Sequence, residues 1–178
     1  MQIRPAALVL ISTLALSGSA LATGIPEKLD AASYQRLSPS LAVSGKPSKE
    51  ALAALKDAGF RTAIDLRQPA EGVEAARKAV EEQGLTFVSV PISPETFRAD
   101  DAKKVAAILD DAKAAPVLLF CSSSNRVGGV IAVVERMRGL SKEEALNEGK
   151  KAGLRSAAME NAVLKVLDEA PAKAAAGK

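Results

Sequence analysis

The chain has 178 residues, a single-domain length, with 48% hydrophobic and 25% charged residues and a net charge of +3. It contains no histidine, no tryptophan and one cysteine, which excludes a Ser-His-Asp triad, a Cys-His pair, imidazole-built zinc sites and an internal disulfide. Charges of both signs are mixed along the chain with no basic stripe, and aromatics are only 3%, which argues against a nucleic-acid partner.

In chain order, Met1 to Arg4 is a short basic start, Ala6 to Leu16 is apolar, and Ala20-Leu21-Ala22 is an Ala-x-Ala site. Residues 1–22 therefore read as a signal peptide cleaved after Ala22. The apolar run is too short to span a bilayer comfortably. The expectation is a periplasmic or secreted protein with no stable membrane insertion after cleavage. Residues 23–40 are polar with two prolines and predict an irregular lead-in.

From residue 41 the pattern alternates. Leu41–Gly45 predicts a strand and Lys46-Pro47-Ser48 a turn with Ser48 as N-cap. A helix is expected over Lys49–Ala58, with Leu52 and Leu55 inward and Gly59 as its stop. Phe60–Leu66 is a second strand, followed by a loop over residues 67–72. Val73–Gln83 predicts a helix closed by Gly84, and Leu85–Val90 a third strand. A longer loop runs over residues 91–99, then a helix to Lys113 capped by Asp100 or Asp101. Pro116–Phe120 is apolar throughout, as a buried parallel strand would be. Val130 to Gly139 predicts a helix. Ser141 to Glu144 is a capping box opening another, which ends near Gly153. Leu154–Glu169 supplies the last helix, with Met159, Val163 and Val166 on one face. Residues 171–178 form a low-complexity tail, expected to be disordered. The fold class is α/β: a mainly parallel sheet of about four strands with helices on both faces. That arrangement puts the loops after Leu66, Val90 and Phe120 on one rim.

The stretch richest in chemistry follows the Phe120 strand: Cys121-Ser122-Ser123-Ser124-Asn125-Arg126-Val127-Gly128. Ligands of open α/β sheets bind at the carboxyl ends of strands. Backbone N–H groups at a helix N-terminus carry partial positive charge and attract oxyanions. Three serines are small enough to let those groups face a ligand. Arg126 adds a planar fork for two phosphate or sulfate oxygens. The same field favours a Cys121 thiolate, the nucleophilic form. A lone cysteine after an apolar strand is also what a small core residue looks like; the polar run beside it is what a core position would not need.

The runs Val43-Ser-Gly-Lys-Pro-Ser48, Gly59-Phe60 before Ile64-Asp-Leu-Arg67, Val90-Pro-Ile92 and Cys121 to Gly128 together resemble the bacterial branch of the protein tyrosine phosphatase-like superfamily. That branch includes the phosphatase-like domain fused to some β-lactamase-fold hydrolases. The resemblance spans Leu41 to Gly153 and implies a phosphatase-like domain over residues 41–170. It implies a cysteine-dependent phosphatase that hydrolyses phosphate monoesters, phosphotyrosine among them, through a phosphocysteine. It also implies a phosphorylated or other oxyanion substrate and no metal or organic cofactor. Carried over, Cys121 is the nucleophile, Arg126 binds the phosphoryl oxygens, and the backbone from Ser122 through Ser123, Ser124 and Asn125 to Val127 lines the cradle.

Four departures stand out. Four residues separate Cys121 from Arg126 where tyrosine phosphatases have five; four is the spacing of rhodanese-type sulfurtransferases. Phe120 and Val127 replace the usual histidine and serine or threonine. The general-acid loop offers Ser93-Pro94-Glu95 in place of an aspartate, so Glu95 is the expected acid, with Asp100 and Asp101 behind it. Arg67 is expected to pair with Glu71 or Glu74. A sulfurtransferase and a non-catalytic anion-binding module remain as alternatives.

Overall fold

The computed structural model describes residues 24–169; the expected signal peptide and C-terminal tail lie outside them. Five strands form one sheet in the order β1-β2-β5-β3-β4. They are β1 (Gln35–Ser38), β2 (Leu41–Ser44), β3 (Thr62–Asp65), β4 (Thr86–Ser89) and β5 (Val117–Phe120). β2, β5, β3 and β4 are mutually parallel. β1 is an antiparallel edge strand on β2. The lead-in is therefore not wholly irregular, and the sheet has one strand more than expected. β1 escaped notice because an edge strand needs no apolar run: its four residues are exposed or half-buried.

β5 is the centre of the sheet, and all four of its residues are buried. Alternation along it feeds two cores. Leu118 and Phe120 join Ala42, Ala63, Phe87 and the apolar faces of α1 (Lys49–Ala53) and α2 (Val73–Glu81). Val117 and Leu119 join Val43, Ile64 and four helices on the other face: α3 (Ala99–Leu109), α4 (Asn125–Met137), α5 (Lys142–Lys151) and α6 (Ala157–Glu169).

α3 ends at Leu109 rather than Lys113 and α6 starts at Ala157 rather than Leu154; three further boundaries differ from expectation for local reasons. α1 stops at Ala53, and tighter turns carry the chain to Gly59, with Ala54 N–H on the Ala51 carbonyl (3.2 Å) and Gly59 N–H on that of Lys56 (2.9 Å). α3 starts one residue before Asp100, and Asp101 caps it from inside the first turn by accepting from the Arg98 N–H (3.0 Å). α4 begins at Asn125, five residues before Val130. The Ser141–Glu144 capping box forms as read, and Met159, Val163 and Val166 are buried on one face of α6.

α4 lies against α5 with little clearance. A Cβ on Gly128 would stand 2.2 Å from the Leu154 nitrogen and 2.4 Å from the Gly149 carbonyl oxygen. This contact fixes where the N-terminus of α4, and so the loop before it, sits over the sheet.

Candidate active site

Because β5 is central, the loop after it is flanked by the ends of β2 and β3. Cys121 N–H donates to the Ser44 carbonyl (3.2 Å) and Leu66 N–H to that of Phe120 (2.9 Å). Cys121 itself has no exposed surface. Only Ser122, Ser123 and Ser124 separate it from α4. Arg126 is thus a first-turn helical residue, not the loop residue that a helix starting at Val130 makes it.

The turn into α4 is made by Ser124, whose φ of +64° is left-handed. A non-glycine residue holds that conformation only where its surroundings impose it. Here Gly153 leaves no room for movement: a Cβ there would lie 2.6 Å from that of Ser124. The loop carbonyls are all hydrogen-bonded. Ser122 accepts from Lys46 N–H (3.1 Å), Ser123 from the Arg155 guanidinium, and Ser124 from Gly128 N–H (2.8 Å). The first-turn amides of Asn125, Arg126 and Val127 have no acceptor among the described residues, as helix geometry requires. Occupied carbonyls and unpaired amides at a helix N-terminus give the polarity an oxyanion needs.

The side chains of Asn125 and Val127 do other work. Asn125 Oδ1 accepts from the N–H groups of Arg155 (2.9 Å) and Ser156 (3.0 Å), and its Nδ2 donates to Ser156 Oγ (2.8 Å). It ties the loop to the start of α6. Val127 is buried in the same core cluster as Cys121. Both offer only backbone to an anion. Ser124 Oγ is buried without a partner among the described residues.

Arg126 is held from several sides. Its Nη1 and Nη2 donate to the two carboxylate oxygens of Glu71 at 2.7 and 2.8 Å. Nη2 also donates to Ser122 Oγ (3.0 Å), and Nη1 makes longer contacts of 3.4 Å to the carbonyls of Leu66 and Ile92. The bond to Glu71 pushes the guanidinium pKa further up, against the effect of burial, and the neighbouring Cys121 sulfur acts in the same sense. Glu71 in turn accepts from Ser122 Oγ (2.5 Å) and from the Gln68 N–H (2.7 Å). Arg126 above all, then Ser122 and Gln68, hold its carboxyl down at about 2 despite partial burial.

The sequence marks Glu71 only as a possible partner of Arg67 and gives no sign of its pairing with Arg126. Its local signal was present: Gln68-Pro69-Ala70-Glu71 has capping-box spacing, which turns the carboxylate back onto the Gln68 amide. Its partner, 55 residues away, was not visible. Arg67 does not pair with the carboxylate of Glu71 or Glu74. It is buried, with Nε and Nη2 on the fully buried Asp65 carboxylate (2.7–3.0 Å), Nη1 on the Glu71 carbonyl (3.0 Å) and its guanidinium over the Phe120 ring at 5.3 Å. This buried pair clamps the turn that carries Glu71.

Glu95 lies one loop away, after β4, separated from β5 by β3. The start of that loop touches the site through the Ile92 carbonyl. Glu95 itself is exposed and accepts from Ser93 Oγ (2.6 Å), which holds its carboxyl below the usual value. It lines a cavity of about 610 Å³ against α6, with Phe97, Arg98 and Lys165. It makes no hydrogen bond to Cys121 or Arg126 among the described residues. Asp100 pairs with Lys103 (2.8 Å).

Residues 33–137 match the family described as β-lactamase hydrolase-like protein, phosphatase-like domain. The chain belongs to that family. No curated protein matches it. Among solved structures it is similar to Tk-PTP in its active form, with 24% identity, 77% of this chain and 97% of that one covered, and a TM-score of 0.64. It is similar to TpbA of P. aeruginosa, with 21% identity, coverage of 77% and 84% and a TM-score of 0.60. It is also similar to the core catalytic domain of the PP-IP phosphatase SIW14 from S. cerevisiae, with 14% identity, coverage of 76% and 85% and a TM-score of 0.58. The family's fold is thus that of protein tyrosine phosphatase-like phosphatases.

Proposed function

We propose that this family member is an exported, cysteine-dependent phosphatase of phosphate monoesters. One observation carries the reading. The buried Cys121 sulfur interacts with the Arg126 guanidinium beneath a helix N-terminus whose first-turn amides have no acceptor among the described residues. Arg126 Nη1 and Nη2 are occupied by Glu71, while its Nε has no acceptor among the described residues. Glu71 and Ser122 thus anchor the Nη1 and Nη2 groups of Arg126 and leave its Nε–H for a phosphoryl oxygen. Preorganised donors of this kind stabilise charge that develops in transfer, without reorganising during it.

In the proposed reaction the Cys121 thiolate attacks phosphorus. The S–P bond forms as the P–O bond to the leaving group breaks, and that oxygen takes a proton from Glu95. Water then attacks the phosphocysteine and gives a proton to the Glu95 carboxylate as the S–P bond breaks, which releases inorganic phosphate and restores both the thiolate and the acid. Glu95 serves as the acid only if its loop moves toward Cys121 and off the Ser93 hydroxyl, whose bond favours the ionised carboxylate. An aryl phosphate is the natural first substrate, because its leaving group needs little protonation. A cysteine-to-serine form of P. aeruginosa TpbA has been solved in complex with phosphotyrosine, which supports that choice.

The four-residue spacing between Cys121 and Arg126 favours a second reading, transfer of sulfur through a Cys121 persulfide. The test runs both assays side by side. Wild type should turn over an aryl phosphate, and Cys121→Ser should not. Thiosulfate sulfurtransfer without aryl phosphate turnover would reject the phosphatase and select the alternative. Export is checked by intact mass: the mature chain should begin at Thr23, and a chain retaining Met1 would reject it.

A further inference from the structure

The α5–α6 turn is pinned to the catalytic loop. Asn125 Oδ1 accepts from the Arg155 and Ser156 N–H groups (2.9 and 3.0 Å), and a Cβ on Gly153 would meet that of Ser124 at 2.6 Å. From this turn the Arg155 side chain reaches back over the loop, where its Nη2 donates to the Ser123 carbonyl. Arg155 is exposed, and its Nε and Nη1 have no acceptor among the described residues. Only Ser124 separates the Ser123 carbonyl from the unpaired Asn125 N–H. A phosphoryl group on the first-turn amides would therefore stand one to two residue lengths from that carbonyl, roughly 4–8 Å.

The carboxylates around the turn are already taken. Glu148 pairs with Lys151 (2.7 Å), Glu160 with Lys150 (2.8 Å) and, across the loop, Glu71 with Arg126 (2.7 Å). Arg155 forms no ion pair among the described residues. Bracing one carbonyl needs a single neutral donor; a guanidinium brings a charge and further N–H groups that the brace does not use. The β2–α1 turn adds the same sign on the other flank. Lys46 N–H holds the Ser122 carbonyl (3.1 Å), and Lys46 is exposed with no ion pair among the described residues. Two unpaired cations, each tied to one of two adjacent loop carbonyls, raise the potential over the cradle and favour a ligand with more negative charge than one phosphoryl group carries.

We propose that Arg155, with Lys46 across the loop, is the specificity-determining residue that selects phosphate monoesters whose leaving group bears a second anionic group, carboxylate or phosphate, within a few bonds of the ester oxygen. The proposal rests on the phosphatase reading and narrows its substrate class. The first-turn amides and Arg126 hold the phosphoryl group, and Arg155 supplies the preference for the second charge.

The test is calorimetric, on the full mature chain carrying Cys121→Ser, so that binding is measured apart from turnover. The probes are inorganic phosphate and three small monoesters that differ in the charge of the leaving group: 3-phosphoglycerate (anionic), glycerol 3-phosphate (neutral) and ethanolamine phosphate (cationic). At about pH 8 each phosphoryl group is a dianion. Affinity should fall in that order, roughly 3- to 10-fold per step at low salt, and about 0.5 M salt should compress the series. Adding Arg155→Gln should cut the ratio of 3-phosphoglycerate to glycerol 3-phosphate affinity by at least half, Arg155→Lys should keep most of it, and Arg155→Gln with Lys46→Gln should bring it close to one. Equal affinity for the three monoesters, or a series that survives the double variant, would overturn the proposal. So would an Arg155→Gln variant that weakens all four ligands by one factor, since Arg155 would then merely brace the loop. The charge series without aryl phosphate turnover by the Cys121 chain would sink the phosphatase reading and leave the anion preference standing. Turnover without the series would do the reverse, and no binding of any probe would reject both.

Discussion

Replacing Glu71 by glutamine keeps the shape of its contact with Arg126 and removes the charge. In the folded chain the Glu71 carboxyl is lowered from 4.5 to about 2, first by Arg126 and then by Ser122 and Gln68. A gap of that size corresponds to at most about 3.5 kcal/mol. Glu71 is 33% exposed, so solvent screening reduces the expected contribution to about 1–2 kcal/mol. The folded-state value lies below the unfolded one. The stabilisation is therefore complete above about pH 4.5 and is lost as pH falls toward about 2. Glu71→Gln should cost about 1–2 kcal/mol near neutral pH, read as a lower midpoint in urea at unchanged slope. The gap between wild type and variant should narrow by roughly half at about pH 3, because only wild type carries the titrating carboxyl. Equal stability at neutral pH would refute the argument. So would a gap of constant size from pH 5 to 3, since that would mean shape and not charge holds Arg126.

Arg67→Ala should destabilise the fold by about 3–5 kcal/mol, because it leaves the Asp65 carboxylate buried and unpaired; urea unfolding measures it, and a loss under about 1 kcal/mol would mean that Asp65 finds water or another donor. Arg126→Ala should abolish protection of Cys121 from alkylation by phosphate or vanadate, a loss of about 1.5–3 kcal/mol of anion affinity, and undiminished protection would remove Arg126 from the cradle. Gly128→Ala should lower stability by about 3 kcal/mol by thermal melting, since its Cβ would meet backbone of α5 and the α5–α6 turn rather than flexible side chains; a variant melting with wild type would show that α4 and α5 separate easily. Glu95→Gln should slow alkyl phosphates more than aryl phosphates if it is the acid, and an equal effect on both would assign the proton elsewhere.

Sequence alone determined the parts whose physics is local. The alternation from Leu41 to Phe120 specified parallel strands and helices, because periodicity and stop signals act within a few residues. The Ser141–Glu144 box and the buried face of α6 were legible for the same reason, as was a strand–loop–helix unit placing Cys121 and Arg126 together. β1 was not, because its polar residues carry no apolar signal and its place depends on pairing with β2. Strand order was the larger gap. Nothing local says that β5 lies between β2 and β3, yet this order brings Lys46, Leu66 and Glu71 to the Cys121 loop and leaves Glu95 beyond β3. The tertiary structure alone therefore decided that Arg126 meets Glu71 and that Arg67 turns inward to Asp65. An ion pair has no periodicity, and its two members need only meet in space.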